Sequence, residues 1–247
     1  MSFLSSLMPN QVKTKRYQIL DFIRGIAIGL MFVFHLSFGL AQIGYLKINF
    51  STDFFWISFR ALIVFLFLAL VGIGLYLATK NKLNLRSYLK RLLLLLVYFS
   101  LITLLSHAIR PNHYVFFGIL HLIFISSIIG LLFVRFYWIN LIIGLIIIGC
   151  GSYFQLSNLD HPMLQWIGMN TAIPATDDYA PLLPWFGLVL IGIFIGKTLF
   201  EKFQFESLNH WQAKHWIPRL ISWAGRYSIH LYFIHFQMFY LLVYLVG

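Results

Sequence analysis

Three polar residues interrupt an otherwise apolar stretch from Arg16 to Leu40: Asp21, Arg24 and His35. An α-helix turns about 100° per residue, so the eleven positions from Arg24 to His35 make three turns plus about 20°. Asp21, fourteen positions before His35, lies roughly 40° to the other side. All three share one stripe, which Gln42 extends. Arg24 and His35 stand about 16 Å apart along the axis at about 1.5 Å per residue. A charge turned toward lipid is costly, so the stripe is expected to face protein or a water-filled cavity running through a bilayer.

Other apolar runs carry ionisable residues too. Arg60 lies about seven residues into the second run, His121 about seven into the fourth, and His35 about seven before Gln42. That is a shared depth of roughly 10 Å below one face. The last run, GRYSIHLYFIHFQ, adds Arg226, Ser228, His230 and His235. Histidine can accept a proton near neutral pH, and arginine can hold an anion or steady developing negative charge. Plainer roles stay open. An arginine near a span end snorkels to headgroups, Asp21 can simply pair with Arg24 one turn on, and an intramembrane histidine can bridge two helices. Nothing in the spacing of His35, His121 and His235 forms a ligand motif, and no metal is expected.

The background fixes the class. Of 247 residues 60% are hydrophobic and only 10% charged, with a mean hydropathy of +0.84. This is an all-α, polytopic membrane helix bundle, one domain over 1–247. The net charge of +11 reflects loop lysines and arginines on one side of a membrane, not nucleic-acid binding. The single cysteine, Cys150, excludes a disulfide within the chain. The first segment is too long for a signal-peptide core and is expected to be retained.

About seven spans are expected: Gln18 to Gln42, Phe54 to Ala78, Tyr88 to Ser106, Val115 to Val134, Trp138 to Phe154, Leu182 to Leu199 and Ala224 to Val246. All seven prolines fall in loops or at span ends. Thirteen loop cations, from Lys13 to Arg219, lie on the N-terminal side, against Lys47 and Arg110 opposite. The N-terminus is therefore expected to be cytoplasmic and the location a multi-pass cell membrane, the inner membrane of a bacterium. The long outer loop Gln155 to Pro181 is expected over the outer mouth, and the Trp-rich stretch Leu208 to Pro218 along the inner interface.

The motif D-x-x-R-G-x-A, here Asp21, Arg24, Gly25 and Ala27, with His35 eleven positions after the arginine, resembles membrane acyltransferases. With FGILH (Phe117 to His121), DYAPLLPWFG (Asp178 to Gly187) and GRYSIHLYFIHFQ (Gly225 to Gln237), the chain resembles bacterial proteins related to heparan-α-glucosaminide N-acetyltransferase. The resemblance covers nearly the whole chain in order. It departs at His35, where the heparan enzyme has asparagine, so substrate and covalent mechanism are not carried over.

What the resemblance implies is transfer of an acetyl group from cytoplasmic acetyl-CoA, a donor substrate, to a sugar or glycan hydroxyl or amine outside. His35 is then the expected base, with Arg60 or His121 stabilising the thioester oxygen and Asp178 orienting His35 or holding the acceptor. Lys80, Lys82, Arg86, Lys90 and Arg91 offer a docking surface for the nucleotide. Asp21, Arg24, Arg226 and His235 would line the donor passage, and Trp185 would stack on a sugar. The partners are acetyl-CoA, the acceptor and the lipid bilayer; pairing with a second copy is left open. A small-molecule transporter is the alternative class, set back by the absence of an internal repeat and of a proline-broken span. Binding of acetyl-CoA discriminates the two.

Overall fold

A computed structural model describes residues 16–203 and 211–246. Lys13, Lys15 and the first residues of the stretch from Leu208 lie outside them. Among the described residues the chain is all-α: α1 (Gln18–Gln42), α2 (Phe54–Thr79), α3 (Leu85–Ile109), α4 (Ile119–Gly130), α5 (Trp138–Tyr153), α6 (Leu182–Lys197), α7 (Trp216–Arg226) and α8 (Ser228–Val246). Apolar runs set the helices, and polar side chains cap the starts of two of them. The Asp53 carboxylate accepts from the Phe55 N–H at 2.9 Å to start α2, and the Asn84 side chain accepts from the Ser87 N–H at 3.1 Å to start α3. Among the described residues, four helices are long and apolar enough to cross a membrane: α1, α2, α3 and α6 with its π-helical extension Thr198–Lys202.

Two expected spans have different limits. The fourth, expected from Val115 to Val134, is the twelve-residue α4 alone. Gly118 caps it in an extended conformation, and residues 131–135 turn away. Buried Asn140 secures that turn by donating to the carbonyls of Phe133 (3.0 Å) and Phe136 (2.8 Å). The last expected span is also split. The chain breaks at Tyr227, leaving α7 as a separate helix with Trp216, Ile217, Leu220 and Trp223 exposed along one side. That spacing of i, i+1, i+4 and i+7 is an amphipathic apolar face, suited to an interface between protein and lipid.

Glycines let the helices approach. α6 runs parallel to α2, with Gly72 against the Val189 carbonyl and Gly192 against that of Ala69. It runs antiparallel to α5, where Gly144 and Gly187 face one another. α7 lies antiparallel on the first half of α1, with Gly25 against the Ile221 carbonyl and Gly225 against the Asp21 carbonyl. A Cβ at any of these would meet backbone, so each is a small-residue contact of the kind that brings membrane helices together. α8 then runs alongside the second half of α1, bringing His235 beside Phe32 and His35, and Phe239 beside Phe38.

The long loop between α5 and α6 is folded on itself. Asp160 accepts from the Thr171 hydroxyl and from the backbone N–H groups of Thr171 and Ala172, which holds its carboxyl below the usual range. Its last part is zipped to the segment before α4. Asp177 N–H donates to His113 C=O and Ala180 N–H to Phe117 C=O, both at 3.1 Å, while the Thr176 hydroxyl donates to Tyr114 C=O at 2.8 Å. This zipper carries two adjacent aspartates into the bundle.

Candidate active site

At the end of the bundle where α1 begins, Asp21 is 4% exposed. It accepts from Arg16 (Nε 2.6 Å, Nη2 3.0 Å) and from Arg24 (Nη1 2.9 Å). Two guanidiniums on one carboxylate leave excess positive charge, and both border a cavity of about 710 Å³. Arg91 on α3 and Arg226 at the end of α7 border it too, with Asn84 and Ser87 beside them. Four arginines against one carboxylate make this end a binding place for an anion. The walls turn apolar further in, through Phe67, Val71 and Gly74 of α2 and Ile123 of α4. The far end is formed by Ile119 and Tyr232.

Beyond that far end stands Asp178. Its Oδ2 accepts from the Tyr232 hydroxyl at 2.8 Å and from the Ile119 N–H at 3.1 Å, at the positive N-terminus of α4. Gly118 makes this possible: a Cβ there would collide with Oδ2. Neighbouring Asp177 takes two hydrogen bonds from Arg110 Nη1 (2.9 and 3.1 Å) and one from the Tyr240 hydroxyl (3.0 Å). Desolvation still pushes the Asp177 carboxyl above its ordinary range, against the pull of Arg110. Tyr232 and Tyr240 are eight residues apart, two turns, so one face of α8 is fastened to consecutive aspartates.

One turn past Tyr232, His235 meets His35 with ring centroids 4.9 Å apart. His35 Nδ1 lies 3.1 Å from the Met31 carbonyl, and His235 Nδ1 lies 2.8 Å from that of Tyr232. A carbonyl only accepts, so in each neutral ring Nδ1 carries the hydrogen and Nε2 holds the lone pair. His235 Nε2 is buried with no partner among the described residues. Phe236 and Phe239 flank the pair at 5.9 and 6.3 Å from the His35 ring. The arrangement can do three things in order: hold an anion, admit an apolar arm, and present a basic nitrogen beside His235, one turn from the tyrosine that holds the Asp178 carboxylate.

Residues 16–237 match the family model of the heparan-alpha-glucosaminide N-acetyltransferase catalytic domain. The match takes in every residue of the cavity, the aspartate pair and the two histidines. The chain belongs to this family. Comparison with curated proteins and with solved structures returns no match.

The chain is thus a membrane acetyltransferase, and the expected site residues divide within it. Asp21, Arg24 and Arg226 border the cavity; His35, His235 and Asp178 cluster beyond its end. Three other expected residues lie apart from that cluster. His121 lies in α4, but its Nδ1 accepts from the Gly118 N–H at 3.1 Å and its Nε2 is 3.2 Å from Thr103 Oγ1. The Thr103 hydroxyl donates to the Val115 carbonyl, so it accepts from His121, and both ring nitrogens are engaged in starting α4. Arg60 shares a helical face with Phe67 and Gly74 but is exposed and has no hydrogen-bond or ion-pair partner among the described residues. It lies within the first two turns of α2, where a long cationic side chain can snorkel toward a membrane surface. Trp185 is half-buried against the hydrophobic core, apart from the cavity lining. Sequence reasoning missed Tyr232, Tyr240 and Asp177. Tyr232 lies inside a quoted motif, and its eight-residue spacing to Tyr240 was the available signal.

Proposed function

We propose that the acetyltransferase takes its acetyl group from acetyl-CoA held at the basic, cytoplasmic end, and passes it to a sugar hydroxyl or amine at the opposite side of the membrane. The loop-cation bias and the positive-inside rule support that direction. The observation that carries the reading is the cavity: arginine-lined at one end, apolar within, and ending beside Asp178 and the histidine pair. Its volume falls in the range of small-molecule sites, roughly 300–1,000 Å³. The phosphates of the donor pair with Arg24, Arg91 and Arg226, and the thin pantetheine arm lies along Phe67 and Val71.

The thioester then reaches Tyr232, one turn below His235. The acceptor hydroxyl or amine attacks the thioester carbonyl carbon, and the carbon–sulfur bond breaks. His35 Nε2 takes the acceptor's proton and returns it to the departing thiolate, giving free CoA and the acetylated acceptor. Asp178 keeps one carboxylate oxygen, Oδ1, free of partners among the described residues, and that oxygen orients the acceptor. His235 completes the pocket around His35.

The test is donor binding by purified protein. Acetyl-CoA at about 100 times its dissociation constant is expected to stabilise the fold by about 2.7 kcal/mol, read as a rise in Tm. Paired substitution Arg91→Gln and Arg226→Gln is expected to weaken that binding at least tenfold, because charge-assisted contacts to phosphate contribute about 1.5–3 kcal/mol each. Absence of any shift in the unsubstituted protein would remove the donor assignment.

A further inference from the structure

A second cavity, of about 460 Å³, opens at the same basic end but on the other side of α2. It meets the first only at Leu83, which borders both. Three cations surround it: Lys80 at the end of α2, Arg135 between α4 and α5, and Lys197 at the end of α6. One anion, Glu201, is also present. None of these four lines the first cavity.

The π-helical turn Thr198–Lys202 shapes this cavity. It frees the Phe200 carbonyl to accept from Lys80 Nζ at 2.7 Å, which fixes the ammonium at the rim. It also brings the Glu201 carboxylate to the Tyr76 hydroxyl, which donates to Oε2 at 2.9 Å. Lys197 Nζ is held only weakly, 3.4 Å from the Arg135 carbonyl. The Arg135 guanidinium has no partner among the described residues. Three cations against one tethered carboxylate leave a net charge of +2. Leu83, Leu131 and Val134 supply an apolar wall, and Leu132 and Phe136 beside them are exposed on the bundle surface.

A positively charged recess between membrane helices, with an apolar wall running out to the lipid-facing surface, matches one kind of ligand. We infer that this cavity, bordered by Lys80, Arg135 and Lys197, binds the headgroup phosphate of an anionic phospholipid, with the acyl chains lying over Leu132 and Phe136. The arginine forks the phosphate and the two lysines act as point charges. A zwitterionic lipid brings its own cation and gains much less. The site would anchor the ends of α2, α4 and α6 together at the bilayer surface.

The experiment uses the purified protein in detergent, without acetyl-CoA. Binding of phosphatidylglycerol and phosphatidylcholine is followed by native mass spectrometry and by the shift in Tm. Phosphatidylglycerol is expected to bind at least tenfold tighter, and the triple substitution Lys80→Gln, Arg135→Gln and Lys197→Gln is expected to abolish that preference. Arg135→Gln alone, at an exposed side chain with no described partner, should fold normally and weaken phosphatidylglycerol severalfold. In a third arm, CoA binding is measured for the unsubstituted and the Arg135→Gln protein and is expected to be equal. Equal binding of the two lipids overturns the proposal, as does a phosphatidylglycerol preference that survives the triple substitution. Loss of CoA binding in the Arg135→Gln protein with lipid binding unchanged also overturns it, because the recess would then belong to the donor nucleotide.

Discussion

Alanine at His35 is expected to lower acetyl transfer by about 10²- to 10⁴-fold, the contribution of a positioned general base. Donor binding should stay within about twofold, because Arg24 lies about 16 Å away along α1, and Arg91 and Arg226 border the same basic end of the cavity. The expectation rests on tautomer and place. The Met31 carbonyl holds the His35 ring with Nε2 unprotonated, and His235 and Phe236 restrict its movement. His235→Ala supplies the comparison. If His235 only shapes the pocket, that variant loses less activity than His35→Ala. Equal loss would mean that the two rings share the proton. Full turnover by the His35→Ala protein would remove it from the chemistry. Measurement of kcat and of acetyl-CoA binding on the same preparations separates these outcomes.

Asp178→Ala is expected to damage both fold and activity. It leaves the Ile119 N–H and the buried Tyr232 hydroxyl without an acceptor. Each unsatisfied buried group costs about 1–3 kcal/mol. For a chain of this size each kcal/mol lowers Tm by about 2–4 °C, so a fall on the order of 10 °C follows. Asp178→Asn separates structure from charge. Its amide oxygen can still accept from Tyr232 or Ile119, so Tm should fall much less. The acceptor-orienting charge is gone, so kcat should still drop at least tenfold. An asparagine variant with full activity would leave Asp178 a purely structural clasp between α4 and α8.

Helical periodicity made one part of this site legible in advance. The polar stripe on α1 follows from the angle per residue alone, and Asp21, Arg24 and His35 do face the bundle's interior cavity or its neighbouring cluster. Close approach at Gly25, Gly72, Gly187, Gly192 and Gly196 follows the rule that small residues mark where membrane helices meet. The same rule also points to Gly29, where a Cβ would meet nothing, and to Gly74, where it would meet only the Arg24 side chain. Depth along the chain does not show how the ring nitrogens of His121 are engaged: α4 starts at Ile119, and its cap residue Gly118 donates its N–H to that histidine. Arg60 was read from its depth alone, and whether a side chain at that depth is enclosed depends on packing between helices, which a residue count does not contain; it is exposed. Asp178 looked like an outer-loop residue. Only the pairing of residues 176–180 with 113–117 carries it inward to Tyr232, and no local pattern encodes a contact between strands of loop so far apart in sequence.

The central claim is that donor and acceptor meet from opposite faces of one bundle. Purified protein in sealed liposomes, with radiolabelled acetyl-CoA supplied only to the basic face and an amino sugar only to the other, tests it directly. Labelled acetyl sugar accumulating in the acceptor compartment, and absent from the same liposomes with His35→Ala protein, is the predicted result. Product formed only where both substrates share the donor compartment would contradict it.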